Sequence, residues 1–386
     1  MAASPSRGDT RPQQPDFQRL AAPGVRTLEP YVPGKPIDDL MREFGIADCI
    51  KLASNENPLG PPPESLAAIR AALPDLALYP DGSGIELKQA LAKHLSVSPA
   101  QLTIGNGSNE LLSLIAETFL TPDDEAVYAE HAFAVYPLVV QATGAMGRAA
   151  PANRPDHVQP LGHCLESLRD RVNDRTRLVF IANPNNPTGT WLPPPALRQF
   201  IADLPPTAIV VLDEAYRDYM PAADRPEVLD WLPTMPNLIL CRTFSKIYGL
   251  AGLRVGYTIS HPGLAEVMNR VRQPFNVGSL AQAAATAALG AVEHVARSQE
   301  LNRRGLDVLR TGLGSLGWPT PPSAGNFVLA DTGGPAGRWY DALLRHGIIV
   351  RPMAGYGLPN HLRITVGLPE QNERLLSTLA TLLSAR

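Results

Sequence analysis

One lysine stands apart in this chain. Of the 34 basic residues only Lys35, Lys51, Lys88, Lys93 and Lys246 are lysines, and Lys246 is the only one after residue 93. Elsewhere the chain uses arginine for positive charge. A guanidinium stays protonated, whereas a desolvated amine can lose its proton, attack a carbonyl and carry hydrogen between atoms. A general bias toward arginine would leave the same pattern, so the neighbours decide. They read Thr243-Phe244-Ser245-Lys246-Ile247-Tyr248-Gly249, with Arg254 eight residues further on. A planar guanidinium there suits a phosphate, or equally a surface ion pair.

Three other polar strings could do chemistry. Asp213-Glu214-Ala215-Tyr216 follows an apolar run, Ala208 to Leu212. A carboxylate at the end of a buried strand must find a cation or shift its pKa, although aspartate also commonly caps a helix. Gly105-Asn106-Gly107-Ser108-Asn109-Glu110 opens a helix, where free N–H groups can meet an anion; an ordinary glycine turn reads the same. The string is neither a P-loop nor a full dinucleotide fingerprint. In Asn183-Pro184-Asn185-Asn186-Pro187-Thr188-Gly189 two prolines stiffen a turn, either as a tight connection or to hold side-chain amides still.

The elements that must position these residues alternate. Leu102 to Ile104, Leu178 to Ala182, Ala208 to Leu212 and Leu238 to Cys241 read as strands. Glu64 to Leu73, Glu110 to Phe119 and Pro195 to Leu204 read as helices. This predicts an α/β fold with a mostly parallel central sheet and helices on both faces. Each polar string then falls at a strand's carboxyl end, where such sheets bind ligands. After about Val271 two long helices (Leu280 to Arg297, Leu301 to Leu316) precede strands at Asn326 to Ala330, Ile348 to Val350 and His361 to Val366, a smaller C-terminal α/β domain. The expected division is a loosely attached tail over 1–27, an extended proline-rich arm over 28–50, a large domain over 51–270 and a small one over 271–386.

Composition narrows the partners. A net charge of -3 gives no basic field for nucleic acid. The start has no apolar signal-peptide core, and the stretch closest to a membrane span, Ser279 to Val292, lacks charge but is mostly alanine, a poor lipid anchor. Three scattered cysteines suit a reducing compartment, so a cytoplasmic protein is expected. A DNA-binding regulator has no room here for its reading module.

In order along the chain, SNENPLG (from Ser54), YPDG (from Tyr79), GNGSNE, NPNNPTG, DEAY and SKIYGLAGLRVGY resemble the pyridoxal-phosphate aminotransferases of fold type I. The arm PYVPGKP, GNF around Asn326 and LRITVG around Arg363 look most like the histidinol-phosphate aminotransferase branch. The resemblance covers nearly everything from Leu28 onward. It implies that Lys246 holds the cofactor covalently through its amine and later moves the substrate's proton. Asp213 would pair with the pyridine nitrogen, and Tyr216 and Asn186 with the phenolic oxygen. Ser108, Asn109, Ser245 and Arg254, with Thr243, would hold the phosphate. Tyr79 would reach the phosphate from the other subunit of a homodimer. Arg363 would grip the carboxylate of glutamate or 2-oxoglutarate and the phosphate of histidinol phosphate in turn. Tyr31, Arg351 and Asn326 resemble further substrate contacts, with structural roles open for the last two.

The chain departs from the pattern at His131-Ala132-Phe133-Ala134, where many relatives have Pro-Thr-Tyr-Gly. Phe133 can still stack on a pyridine face, because stacking needs the ring and not the hydroxyl. The lost hydroxyl and the added His131 leave the substrate preference open to aromatic amino acids. The same motifs also permit a threonine-phosphate decarboxylase.

Overall fold

The computed structural model describes residues 16–384. A seven-stranded sheet forms its centre. From edge to edge the strands are Leu102–Gly105, Gly256–Ser260, Leu238–Thr243, Ile209–Asp213, Thr176–Ala182, Glu125–Ala129 and Met146–Ala150. Only Gly256–Ser260 runs against its neighbours; every other pairing is parallel. Alternate residues of one strand enter different cores: Val179 and Ile181 on one side, Leu178, Phe180 and Ala182 on the other. Burial on both faces explains why these strands read as unbroken apolar runs.

The register brings the polar strings to one edge. Ala182 pairs with Asp213 and Asp213 with Cys241, while Gly256 lies between Gly105 and Thr243. The four turns that follow Gly105, Ala182, Asp213 and Thr243 therefore open side by side. The helix Gly107–Phe119 starts there and buries Leu111, Leu112, Leu114 and Ile115 against the sheet.

A second, three-stranded antiparallel sheet joins Arg351–Pro352, His361–Thr365 and Phe327–Asp331. Ile50–Lys51 adds a short parallel pairing with Ile348–Ile349. The associated core contains Ile50, Leu52, Val328 and Ile364, with Trp318 edge-on to Trp339 at 5.0 Å.

One expectation needs correction. The break expected between Arg297 and Leu301 is absent; helices run Ser279–Ala288 and Val292–Ser315. Gly290 supplies the interruption, and nothing near residue 299 disfavours helix. Ala281, Ala284, Ala285 and Ala288 pack into the large core. Within the stretch expected as a tail, a helix stands at Phe17–Leu20 and a turn at Pro23–Val25 against Val135–Ala142. A side chain at Gly24 would meet the Gln141 carbonyl at 2.0 Å. Residues 1–15 of that tail lie outside the described residues. Among the described residues no helix is long and apolar enough to cross a membrane.

The crossing of Ser279–Ala288 over Pro63–Ala72 depends on small residues: buried Ser65 donates to the Ala284 carbonyl at 2.8 Å. Ala284→Leu overfills that crossing and should cost about 1–3 kcal/mol. A lowered urea midpoint with unchanged slope would register it; an unchanged midpoint would mean that the helices separate freely.

Candidate active site

Lys246 lies at the floor of a cleft of about 190 Å³. Its amine donates to the Ser54 carbonyl at 3.1 Å and stands 5.6 Å from the Tyr216 ring centre. Among the described residues no carboxylate lies within ion-pair distance of it. The side chain keeps some exposure toward the cleft, but the amine itself is enclosed by protein. Burial lowers its pKa to about 8, helped by the positive charges of Arg363 and Arg254 and opposed by Glu56 and Tyr31. The amine is thus poised to exchange a proton near neutral pH.

Asp213 ends its strand almost fully buried. Tyr136 Oη donates to its Oδ2 at 2.8 Å and the Ala215 N–H to its Oδ1 at 3.1 Å. It closes a turn onto Ala215 but is no helix N-cap, because the short helical turn Arg217–Tyr219 starts from Tyr216. Burial raises its pKa, and those two donors, with Lys246 at longer range, pull it back. The carboxylate has no cation beside it among the described residues, so a cationic ligand atom would complete it. Glu214 points elsewhere, to Arg242 at 2.8 Å and Arg217 at 3.3 Å.

One end of the cleft is an anion cup. Glu110 accepts the Asn106 N–H just ahead of the helix Gly107–Phe119. Ser108 and Asn109 stand in its first turn, where the N-cap residue makes no side-chain bond. The N–H groups of that turn remain open to a negative ligand. Arg254 donates to Ser245 Oγ at 3.3 Å and to the Ala251 carbonyl at 3.2 Å, with no carboxylate partner among the described residues. The Ser245 N–H in turn donates to Thr243 Oγ1 at 3.1 Å. The cup is floored by glycine. A Cβ at Gly107, where φ is +77°, would sit 2.4 Å from Arg254 Nη2.

The other end is built for a second anion. Arg363 is buried, donating to Asn186 Oδ1 and, at 2.7 Å, to the Ala53 carbonyl, with its Nε unpartnered. Because arginine only donates, Asn186 Oδ1 is the acceptor and Nδ2 is the atom left for a ligand. Arg351 donates to the Val32 carbonyl and stacks on Tyr31 at 5.3 Å, pinning the proline-rich arm at the mouth.

The cleft lining contains every expected site residue except Tyr79 and Asn326. Tyr79 projects from the surface, 83% exposed, stacked on Phe275 at 4.9 Å. Asn326 is buried behind the cleft and donates to the Asn55 carbonyl at 3.0 Å. His131 faces an adjoining cavity beyond Tyr31, its Nδ1 donating to the Tyr356 carbonyl at 2.8 Å. Sequence reasoning missed Tyr136 and Asn55. Tyr136 follows Phe133 by three residues and touches it edge-on at 5.9 Å. Asn55 stands inside SNENPLG but carried no assigned role. Among the described residues no cluster of side chains could hold a metal ion.

Residues 47–379 match the family model for aminotransferases of class I and II. The chain belongs to this family. As an aminotransferase of class I and II, it is 53% identical over 371 residues to histidinol-phosphate aminotransferase 2 of Pseudomonas aeruginosa, covering 96% of this chain and 99% of that one. Among solved structures it is similar to the histidinol-phosphate aminotransferase of Sinorhizobium meliloti in complex with pyridoxal-5'-phosphate. That match has 32% identity and a TM-score of 0.84, covering 94% of this chain and 97% of that one. Aspartate aminotransferase of Thermus thermophilus, at 24% identity, TM-score 0.81 and coverage of 95% and 99%, shares the fold. The aminotransferase fold is therefore type I, as the motifs imply.

The lowered lysine pKa has a direct consequence. In the apoprotein, labelling of Lys246 by an amine-directed arylating reagent should rise with a midpoint near pH 8, because only the neutral amine reacts. Arg363→Gln removes a repelling charge and should move that midpoint upward. Peptide mapping that placed the Lys246 midpoint near that of a free lysine would show an amine in contact with water.

Proposed function

We propose that this aminotransferase moves an amino group between histidinol phosphate and 2-oxoglutarate, as a cytoplasmic homodimer carrying pyridoxal phosphate. The observation that carries the reading is the pairing, in one cleft, of a pKa-lowered Lys246 with a cation-free Asp213. Near full-length similarity to named histidinol-phosphate aminotransferases supports the substrate. The free state of all three cysteines suits the cytoplasm.

The residues present fit the cofactor. Asp213 lacks only a cation, which a protonated pyridine nitrogen supplies. The glycine-floored cup of Ser108, Asn109, Ser245 and Arg254, with Thr243, matches a phosphate, and Phe133 offers an aromatic face. When bound, pyridoxal phosphate supplies an electron-accepting ring that lowers the energy of a carbanion at the amino-bearing carbon. Tyr216 and Asn186 Nδ2 would hydrogen-bond its phenolic oxygen. Lys246 Nζ, neutral above its lowered pKa, takes the proton from the substrate carbon and returns it on the far side of the transfer. Arg363, with Arg351 and Tyr31, holds the substrate's anion. One planar fork accepts either a carboxylate or a phosphate, so both half-reactions can use it.

Two experiments test this reading. With 2-oxoglutarate as acceptor, kcat/KM should favour histidinol phosphate; a tenfold or greater preference for phenylalanine would make the enzyme an aromatic aminotransferase. Release of CO₂ from threonine phosphate with no keto acid required would make it a decarboxylase. The exposure of Tyr79 suggests that it serves the partner's phosphate cup. Inactive Tyr79→Ala and Lys246→Ala proteins, mixed and refolded together, should then regain activity through one intact site per heterodimer. Mixed dimers with no activity would count against a contact between subunits.

A further inference from the structure

The hydroxyl of Tyr216 has one protein partner among the described residues, and that partner determines where its proton points. Asn55 Nδ2 lies 2.8 Å from Tyr216 Oη. Thr365 Oγ1 lies 3.0 Å from Asn55 Oδ1 and 3.0 Å from the Asn55 backbone nitrogen. A backbone N–H only donates, so Thr365 Oγ1 accepts there and gives its own proton to Asn55 Oδ1. Turning the amide over would leave the proton of a buried threonine with no acceptor among the described residues. The amide nitrogen therefore faces Tyr216 and donates to it. Tyr216 Oη accepts, and its own proton is left for an acceptor in the cleft.

The same asparagine takes a backbone conformation that few residues other than glycine and asparagine adopt readily. Its φ is +56°, in the left-handed region, and the residue is 1% exposed. Asn326 fixes its carbonyl from behind. Thr365, its anchor, follows Arg363 by two residues on the same strand.

We infer that Asn55 is a positioning residue that makes Tyr216 a one-way donor toward an oxyanion of the cofactor. The inference rests on the cofactor reading above and adds the direction of one proton. Removing the amide leaves the phenol free to rotate, and the donor to the oxyanion is lost for part of the time.

The test is a pH titration of the holoenzyme's visible absorption. Asn55→Gly keeps the left-handed backbone at low cost and deletes only the amide. It should raise the midpoint by about one pH unit, because an oxyanion deprived of its donor keeps more negative charge beside the titrating group. Asn55→Asp, the closest in shape, should raise it further, since an ionised carboxylate can only accept and draws the Tyr216 proton to itself. On a Tyr216→Phe background Asn55→Gly should add nothing. Wild-type midpoints in the Asn55 variants, a milder effect of aspartate than of glycine, or a full glycine effect without the Tyr216 hydroxyl would each overturn the inference. Wild-type protein that takes up no pyridoxal phosphate would instead overturn the cofactor reading itself.

Discussion

Two buried opposite charges that do not form an ion pair set the terms for this molecule. Lys246 and Asp213 line the same cleft, yet neither has an oppositely charged side chain within ion-pair distance among the described residues. Such groups are costly to bury, and the surroundings lessen the cost with hydrogen bonds rather than counter-charges. The lysine leans on a backbone carbonyl, which stabilises the cation weakly and leaves the neutral form accessible. The aspartate takes a phenol and a backbone N–H, which offset part of the rise that burial imposes on its pKa. The amine, with its pKa near 8, can hold or give up a proton close to neutral pH.

That arrangement needs the two layers to stay in register, and three consecutive residues provide the link. The Ala53 carbonyl receives Arg363, the Ser54 carbonyl receives Lys246, and the Asn55 carbonyl receives Asn326. This short segment continues from Ile50–Lys51, which pairs with the smaller layer, and it closes over the edge of the large sheet. The lysine, the substrate-side arginine and the asparagine that orients Tyr216 thus share one stretch of backbone. A displacement of either layer would be felt at all three.

Residues at strand ends were legible in the sequence because polar strings interrupt apolar runs there, and the register then had to bring them together. One edge strand was not. Met146–Ala150 is mostly exposed and holds no β-branched residue, so neither pattern nor propensity marks it. Tyr136 and Asn55 escaped for a different reason. Their partners stand 77 and 161 residues away, and no local spacing announces a contact between side chains so far apart. Gly290 was visible but underweighted beside the long alanine-rich periodicity. Tyr79 and Asn326 were marked by motif and yet lie outside the cleft lining, since a motif specifies neighbours in sequence and not the direction of a side chain.

Arg363 brings the electrostatics and the substrate end together. Its charge is the second cause, after burial, of the lowered Lys246 pKa. On the proposed reading it is also the guanidinium that meets the substrate's anion, with Asn186 and Ala53 holding its fork in place. These two roles oppose each other. An anion on Arg363 neutralises the field that kept the amine from protonating, so Lys246 becomes a stronger base when a substrate is seated and a weaker one when the cleft is empty. A lysine in this position could not act as the clamp, because its own proton would be in play; an arginine stays charged. The reliance on arginine elsewhere in the chain leaves Lys246 as the only amine in the cleft that can give up its proton.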